Sequence, residues 1–112
     1  MIEITAYNFL KEKIGDNVYT ELPKEDAPEE YVIFERTAGG EVEHIKNATL
    51  AIQSVSTSLL KAAELNERVK EAMAAFTELD SISACSLNSD YNYSDTTTKR
   101  YRYQAVFNII YY

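Results

Sequence analysis

Between Ala48 and Phe76 the hydrophobic pattern of the chain changes its period. In ATLAIQSVS, Ala48, Leu50, Ile52 and Ser54 share one face and Thr49, Ala51, Gln53 and Val55 the other, which predicts a strand with Leu50 and Ile52 toward a core. From Leu59 onward, Leu59, Ala62, Leu65, Val69, Ala72, Met73 and Phe76 recur at helical spacing, so a helix over Ser58 to Thr77 follows, with Met73 and Phe76 read as core. A hydroxyl of Ser56, Thr57 or Ser58 can cap its first turn. Glu64 and Arg68 stand four residues apart on its outer side, where they are placed to pair.

Upstream, Ile2, Ala6, Phe9, Leu10 and Ile14 fall on one side of a first helix, with Glu3, Lys11, Glu12 and Lys13 mainly off it. Gly15 is its expected stop, in a left-handed cap. Asn17 to Leu22 reads as a short strand ended by Pro23, and Tyr31 to Arg36 (YVIFER) as a stronger one. Between them PKEDAPEE, with two prolines, is a solvated loop. Its Glu25, Asp26, Glu29 and Glu30 lack the alternating spacing and glycine of a calcium-binding loop, so no metal site is expected there.

Thr37-Ala38-Gly39-Gly40 is a turn signal, and regular alternation resumes only at about Ala48. Residues 38–47 therefore read as a long mobile hairpin arm that can bury little apolar area on its own. Within it Glu41, Val42, Glu43, His44, Ile45 and Lys46 are the candidate contact residues, toward another subunit or another protein. His44 has no Ser or Cys partner in a readable motif, and a lone surface histidine is the commoner case.

After the long helix, Ser83 to Tyr93 places Cys85, Leu87, Ser89, Tyr91 and Tyr93 on one strand face. Ser94 to Lys99 turns the chain. Tyr101, Tyr103, Ala105, Phe107, Ile109 and Tyr111 then alternate with Arg102, Gln104, Val106, Asn108, Ile110 and Tyr112 in what reads as the longest strand. Because Val106, Ile110 and Tyr112 are also apolar, its second face is either covered or used for contact. The expected fold is thus α+β, in the order α-β-β-β-α-β-β, with two helices packed on a twisted, mainly antiparallel sheet.

At 112 residues the chain fits a single domain spanning 1–112. Eleven basic against 18 acidic residues give a net charge of −7, which argues against gripping nucleic acid through its phosphates. Lys99, Arg100 and Arg102 form a small basic patch that reads as solvated. Nine tyrosines without a tryptophan hint at protein interfaces, since tyrosine gives large contact area at small entropy cost. A base-stacking platform would need a positive groove as well. Cys85 is the one cysteine, so no intramolecular disulfide and no four-ligand Cys/His zinc site is available. Nothing basic flanks it to make a reactive thiolate. No segment reaches the roughly 18 apolar residues of a membrane span, and the first residues lack the pattern of an export signal. Neither a membrane nor a cofactor is expected, and no catalytic motif is present.

Four stretches carry a family resemblance: PEEYVIFERT followed by the two glycines to Gly40, ATLAIQS from Ala48, AAELNERVKEAM from Ala62, and LNSDYNYSDTTTKRYRYQAVFNIIYY from Leu87 to the end. Together with the order of elements, this wording resembles the tail terminator (tail completion) proteins of long-tailed phages and prophages of Gram-positive bacteria. The resemblance implies a structural role without catalysis. Such proteins assemble as a homo-oligomeric ring, typically a hexamer, on the finished tail tube of the virion. The ring stops further polymerisation of the major tail tube protein and offers a joining surface to the head-completion or connector protein. An acidic ring would let DNA pass through its lumen without specific binding. The rival readings are a head-completion or connector protein of the virion neck, and an unrelated small intracellular protein-binding module.

Overall fold

The computed structural model describes residues 1–23, 27–94 and 100–112. Helix α1 spans Ile2–Ile14 and buries Ile2, Ala6, Phe9 and Leu10, as its periodicity predicts. Gly15 ends it at φ 132° and ψ −171°. This is an extended conformation of positive φ, in place of the expected left-handed helical cap, and the Gly15 N–H still donates to the Lys11 carbonyl at 3.1 Å. Strand β1 keeps only Val18–Tyr19 of the predicted Asn17 to Leu22, pairing with Val32 and Ile33, and the Tyr19 ring lies edge-on to Tyr31 at 5.8 Å.

Strands β2 (Tyr31–Val42) and β3 (Ile45–Ser56) are 12 residues each. They form one antiparallel ladder that runs from Tyr31↔Val55 to Val42↔Ile45. The expected turn at Thr37-Ala38-Gly39-Gly40 is therefore a correction: those residues are strand, and the chain reverses at Glu43 and His44, at φ 50° and 71°. Positive φ at both central residues is what a two-residue hairpin turn matching strand twist requires. The glycines serve close approach. A Cβ on Gly39 would stand 3.1 Å from Arg36 Nη1, and one on Gly40 would stand 3.3 Å from Asn47 Nδ2. What read as a loose arm in residues 38–47 is a paired hairpin, with one register shift between Arg36 and Ala38.

Helix α2 (Leu59–Ala74) starts at Ser58, whose Oγ accepts from the Lys61 N–H at 3.2 Å. It gives way to a 3₁₀ turn at Phe76–Glu78. Leu59 was expected in the buried stripe but is 40% exposed, since the first turn lies beyond the edge of the core. Arg68 does not pair with Glu64. Its guanidinium meets Glu30 at 3.8 Å and donates to the Ile14 carbonyl at 3.2 Å, tying α2 to the end of α1.

Strand β4 (Ile82–Asn92) and strand β5 (Tyr101–Tyr111) complete a five-stranded sheet in the order β1-β2-β3-β5-β4. At 11 residues β5 is slightly shorter than β2 and β3. Among the described residues only β1 runs parallel to its neighbour, so the sheet is mixed, with every other pairing antiparallel. The expected element order is the observed one. Both helices join one apolar cluster with one face of the sheet: Phe9, Val69, Met73 and Phe76 meet Phe34, Leu50, Ile52, Phe107 and Ile109. The rings of Phe9 and Phe76 lie 5.0 Å apart and join α1 to the end of α2.

Two stability measurements check this packing. Phe76→Ala should cost about 3 to 5 kcal/mol in urea denaturation, and a midpoint equal to the parent's would refute the placement of Phe76. Left-handed backbone disfavours side chains with a Cβ by roughly 1 to 2 kcal/mol per residue. Replacing Glu43-His44 by Asn-Gly should therefore raise stability by about 1 kcal/mol, and a loss would show that the turn has another geometry.

Candidate assembly surface

The hairpin carries all six candidate contact residues to one tip. Glu41 faces Lys46, Val42 faces Ile45, and Glu43 and His44 form the turn. The tip stands clear of the helices, with Val42 69% and Ile45 49% exposed. Its base is held by neighbours: Lys46 pairs in register with Tyr111 and sets its ammonium 5.9 Å from that ring, while Arg36 meets Glu3 of α1 at 3.3 Å. His44 is exposed.

The sheet face turned away from the helices holds a feature that reading the chain in order did not reveal. Arg102 donates to Gln53 Oε1 at 3.0 Å, Gln53 Nε2 donates to Gln104 Oε1 at 3.0 Å, and Gln104 Nε2 donates to the Tyr91 hydroxyl. Further along, the Thr49 hydroxyl donates to Asn108 Oδ1 at 3.3 Å. These are cross-strand pairs over β3, β5 and β4, and they satisfy polar groups that no helix covers. In the sequence Gln53 and Gln104 are visible only as polar residues within predicted strands. Past this ladder the face becomes apolar toward the hairpin tip, with Ile110 43% and Tyr112 66% exposed beside Val42 and Ile45.

The basic patch is not simply solvated. Arg100 lies 5.6 Å from the Tyr31 ring and donates to the carbonyls of Pro28 and Glu29 at 2.7 and 3.0 Å. It thereby ties the end of the acidic loop to β2. Lys99, the Asp95 to Lys99 part of the turn, and Glu25 and Asp26 of the acidic loop lie outside the described residues.

Cys85 is half-buried against the core. Burial pushes its thiol pKa up to about 11, so at neutral pH the sulfur stays protonated and is a poor nucleophile. On the helix side Lys70 bridges Asp90 of β4 and Glu67, at 2.5 and 2.8 Å. Hydrogen bonds to these two carboxylates, Asp90 first, hold the ammonium pKa above its ordinary value. Asn66 Nδ2 donates to the same Asp90 oxygen at 3.2 Å. The cluster ties α2 to β4. Among the described residues no three His, Cys, Asp or Glu side chains gather as metal ligands, and no helix is long and apolar enough to cross a membrane. An apolar groove of about 430 Å³ lies between α1 and β1, lined by Met1, Ile4, Tyr7 and Tyr19.

No protein-family model matches the chain, and no curated protein does. Among solved structures it is similar to a chain in the virion of a native gene transfer agent particle. The TM-score is 0.55 and the identity 15%, over 91% of this chain and 83% of that chain. At that identity the likeness shows that the two chains share a fold.

Proposed function

We propose that the protein is a structural component of a phage virion, and that it caps the tail tube as a closed ring. The likeness over nearly the whole chain to a component of a gene transfer agent virion carries the virion part of this reading. The wording of the four stretches from Tyr31 to the C-terminus supports the tail terminator part. In this reading the ring is a hexamer. It ends polymerisation of the major tail tube protein and presents a surface to the head-completion or connector protein.

The geometry suits such a role. A heterologous contact repeated by rotation must close or grow into a filament, and each copy offers a hairpin arm that stands off its own core. The exposed apolar residues at the tip, Val42 and Ile45, supply area that a partner can bury. The turn residues Glu43 and His44 keep positive φ without glycine, a strain of the sort that persists where a site has a use. With a net charge of −7, a ring lining would repel DNA and let it slide through the lumen. A head-completion or connector role in the virion neck is the second reading, since the same likeness to a virion component serves it equally.

Replacing Glu41 to Lys46 by a short Gly-Ser turn should leave stability within about 1 kcal/mol, the range of surface changes, while abolishing ring formation and tail capping. Thermal melts and electron micrographs of tails assembled with the variant check both halves. Tubes of normal length with the shortened chain would show that the tip is not the contact. Tubes of the same length with and without the protein, and no added density at the head-proximal end when it is present, would sink the terminator role itself.

A further inference from the structure

The sheet ends in two long edges that no strand covers among the described residues. On one side β1 pairs with only Val32 and Ile33 of β2, which leaves the outer edge of β2 open from Phe34 to Val42. On the other side β4 pairs with β5 alone: the Ile82 N–H donates to the Leu79 carbonyl at 3.0 Å, and past it the outer edge is unpaired as far as Asn92 among the described residues. An uncovered edge presents a row of backbone N–H and C=O groups to any strand that can pair with them, and chains usually guard such an edge with lysine, proline or a covering segment. Strand β4 reads ISACSLNSDYN, with no Lys, Arg or Pro. Apolar side chains on and just beyond it, Leu87, Tyr91 and Tyr93, are 46%, 41% and 51% exposed.

We propose that these two edges pair with each other between copies of this chain, the arm edge of β2 in one subunit against the β4 edge of the next. Strand direction makes the fit. Strands β2 and β3, β3 and β5, and β5 and β4 are each antiparallel, so β2 and β4 of one chain run in opposite directions. A second copy set beside the first in the same orientation therefore brings its β2 antiparallel to the first copy's β4, and the sheet continues across the boundary. Register shifts fall between Arg36 and Ala38 in β2 and, in β4, between Ile82 and Ala84 and between Leu87 and Ser89, and a bulge of this kind bends its strand. Because the two edges differ, the contact is heterologous and uses both on every subunit, so a closed cycle leaves neither long edge exposed. Closure of the cycle rests on the ring reading above, whereas the pairing rests on strand polarity. The arm would then work along its flank as well as at its tip.

Ala38 and Ser86 are both exposed and both lie on the sheet face away from the helices, opposite Thr49 and Asn108 in register. Two chains are prepared in a Cys85→Ser background, one with Ala38→Cys and one with Ser86→Cys. Ala84→Cys, two residues along the β4 edge and opposite Ile110 in register, covers the neighbouring register. Each is oxidised with oxidised glutathione, alone and mixed, free in solution and on tail tubes, after circular dichroism has shown parent-like folding. If Cys85→Ser perturbs the fold, the same pairs are made with Cys85 retained and the linked residues are identified by peptide mapping. The expected result is a mixed disulfide dimer at least tenfold more abundant in the mixture than in either chain alone. A chain carrying both cysteines should give a ladder of linked subunits. Self-linking of the Ser86→Cys chain alone would establish a two-fold β4 to β4 contact and overturn the proposal. So would the absence of any mixed link both in solution and on tubes. Linked rings that fail to cap tubes would leave the pairing standing and remove the terminator role, whereas capped tubes without links would remove the pairing alone.

Discussion

Burial on one side of the sheet is the constraint from which the rest of the structure follows. Val69, Met73 and Phe76 of the α2 region must be covered by the sheet, and Leu50, Ile52 and Phe107 of the sheet by the helices. Neither layer keeps its apolar face out of water alone. Two helices suffice for one face only. On the other face the cross-strand chain from Arg102 through Gln53 and Gln104 to Tyr91 pairs polar side chains with one another.

The same constraint explains where the molecule is left open. The helices cover the centre of the sheet, while β2 and β3 run on past them. The hairpin is thus supported by its ladder, by Arg36 on Glu3 and by Lys46 on Tyr111, and it lends little to the core. Removing its tip leaves Phe9, Phe76 and the buried strand residues in contact. A surface so placed can be used for assembly at small cost to the fold, which is how a small subunit can carry an extended contact arm. The ties that do cross between layers, Lys70 and Asn66 on Asp90 and Arg68 on Glu30, lie at the core's rim, where partly exposed ion pairs orient elements more than they stabilise them.

The candidate surface was legible in the sequence as a segment but not as a shape. Glu41 to Lys46 are consecutive, so their low apolar content and mixed charge could be read directly. Their conformation could not, because paired glycines look like a turn to any local reading. In the fold Gly39 and Gly40 are extended, and their missing side chains make room for Arg36 and Asn47. Glu43 and His44, which carry no turn signature, make the reversal. The polar ladder was hidden for a related reason: Gln53 and Gln104 are 51 residues apart, and each by itself is an ordinary polar residue in a strand.

By itself the sequence determined the kind and order of the elements, the buried stripe of each helix and the inward face of β3 and β5, since periods of 3.6 and 2 are properties of neighbouring residues. The tertiary structure decided which strands become neighbours: β5 enters between β3 and β4, β1 joins in parallel, and two outer edges remain. It also decided that Leu59 lies outside the core and that Arg68 meets Glu30 in place of Glu64. These outcomes depend on contacts between residues far apart in the chain, whose energies compare whole packings of layers, and no local pattern contains that comparison.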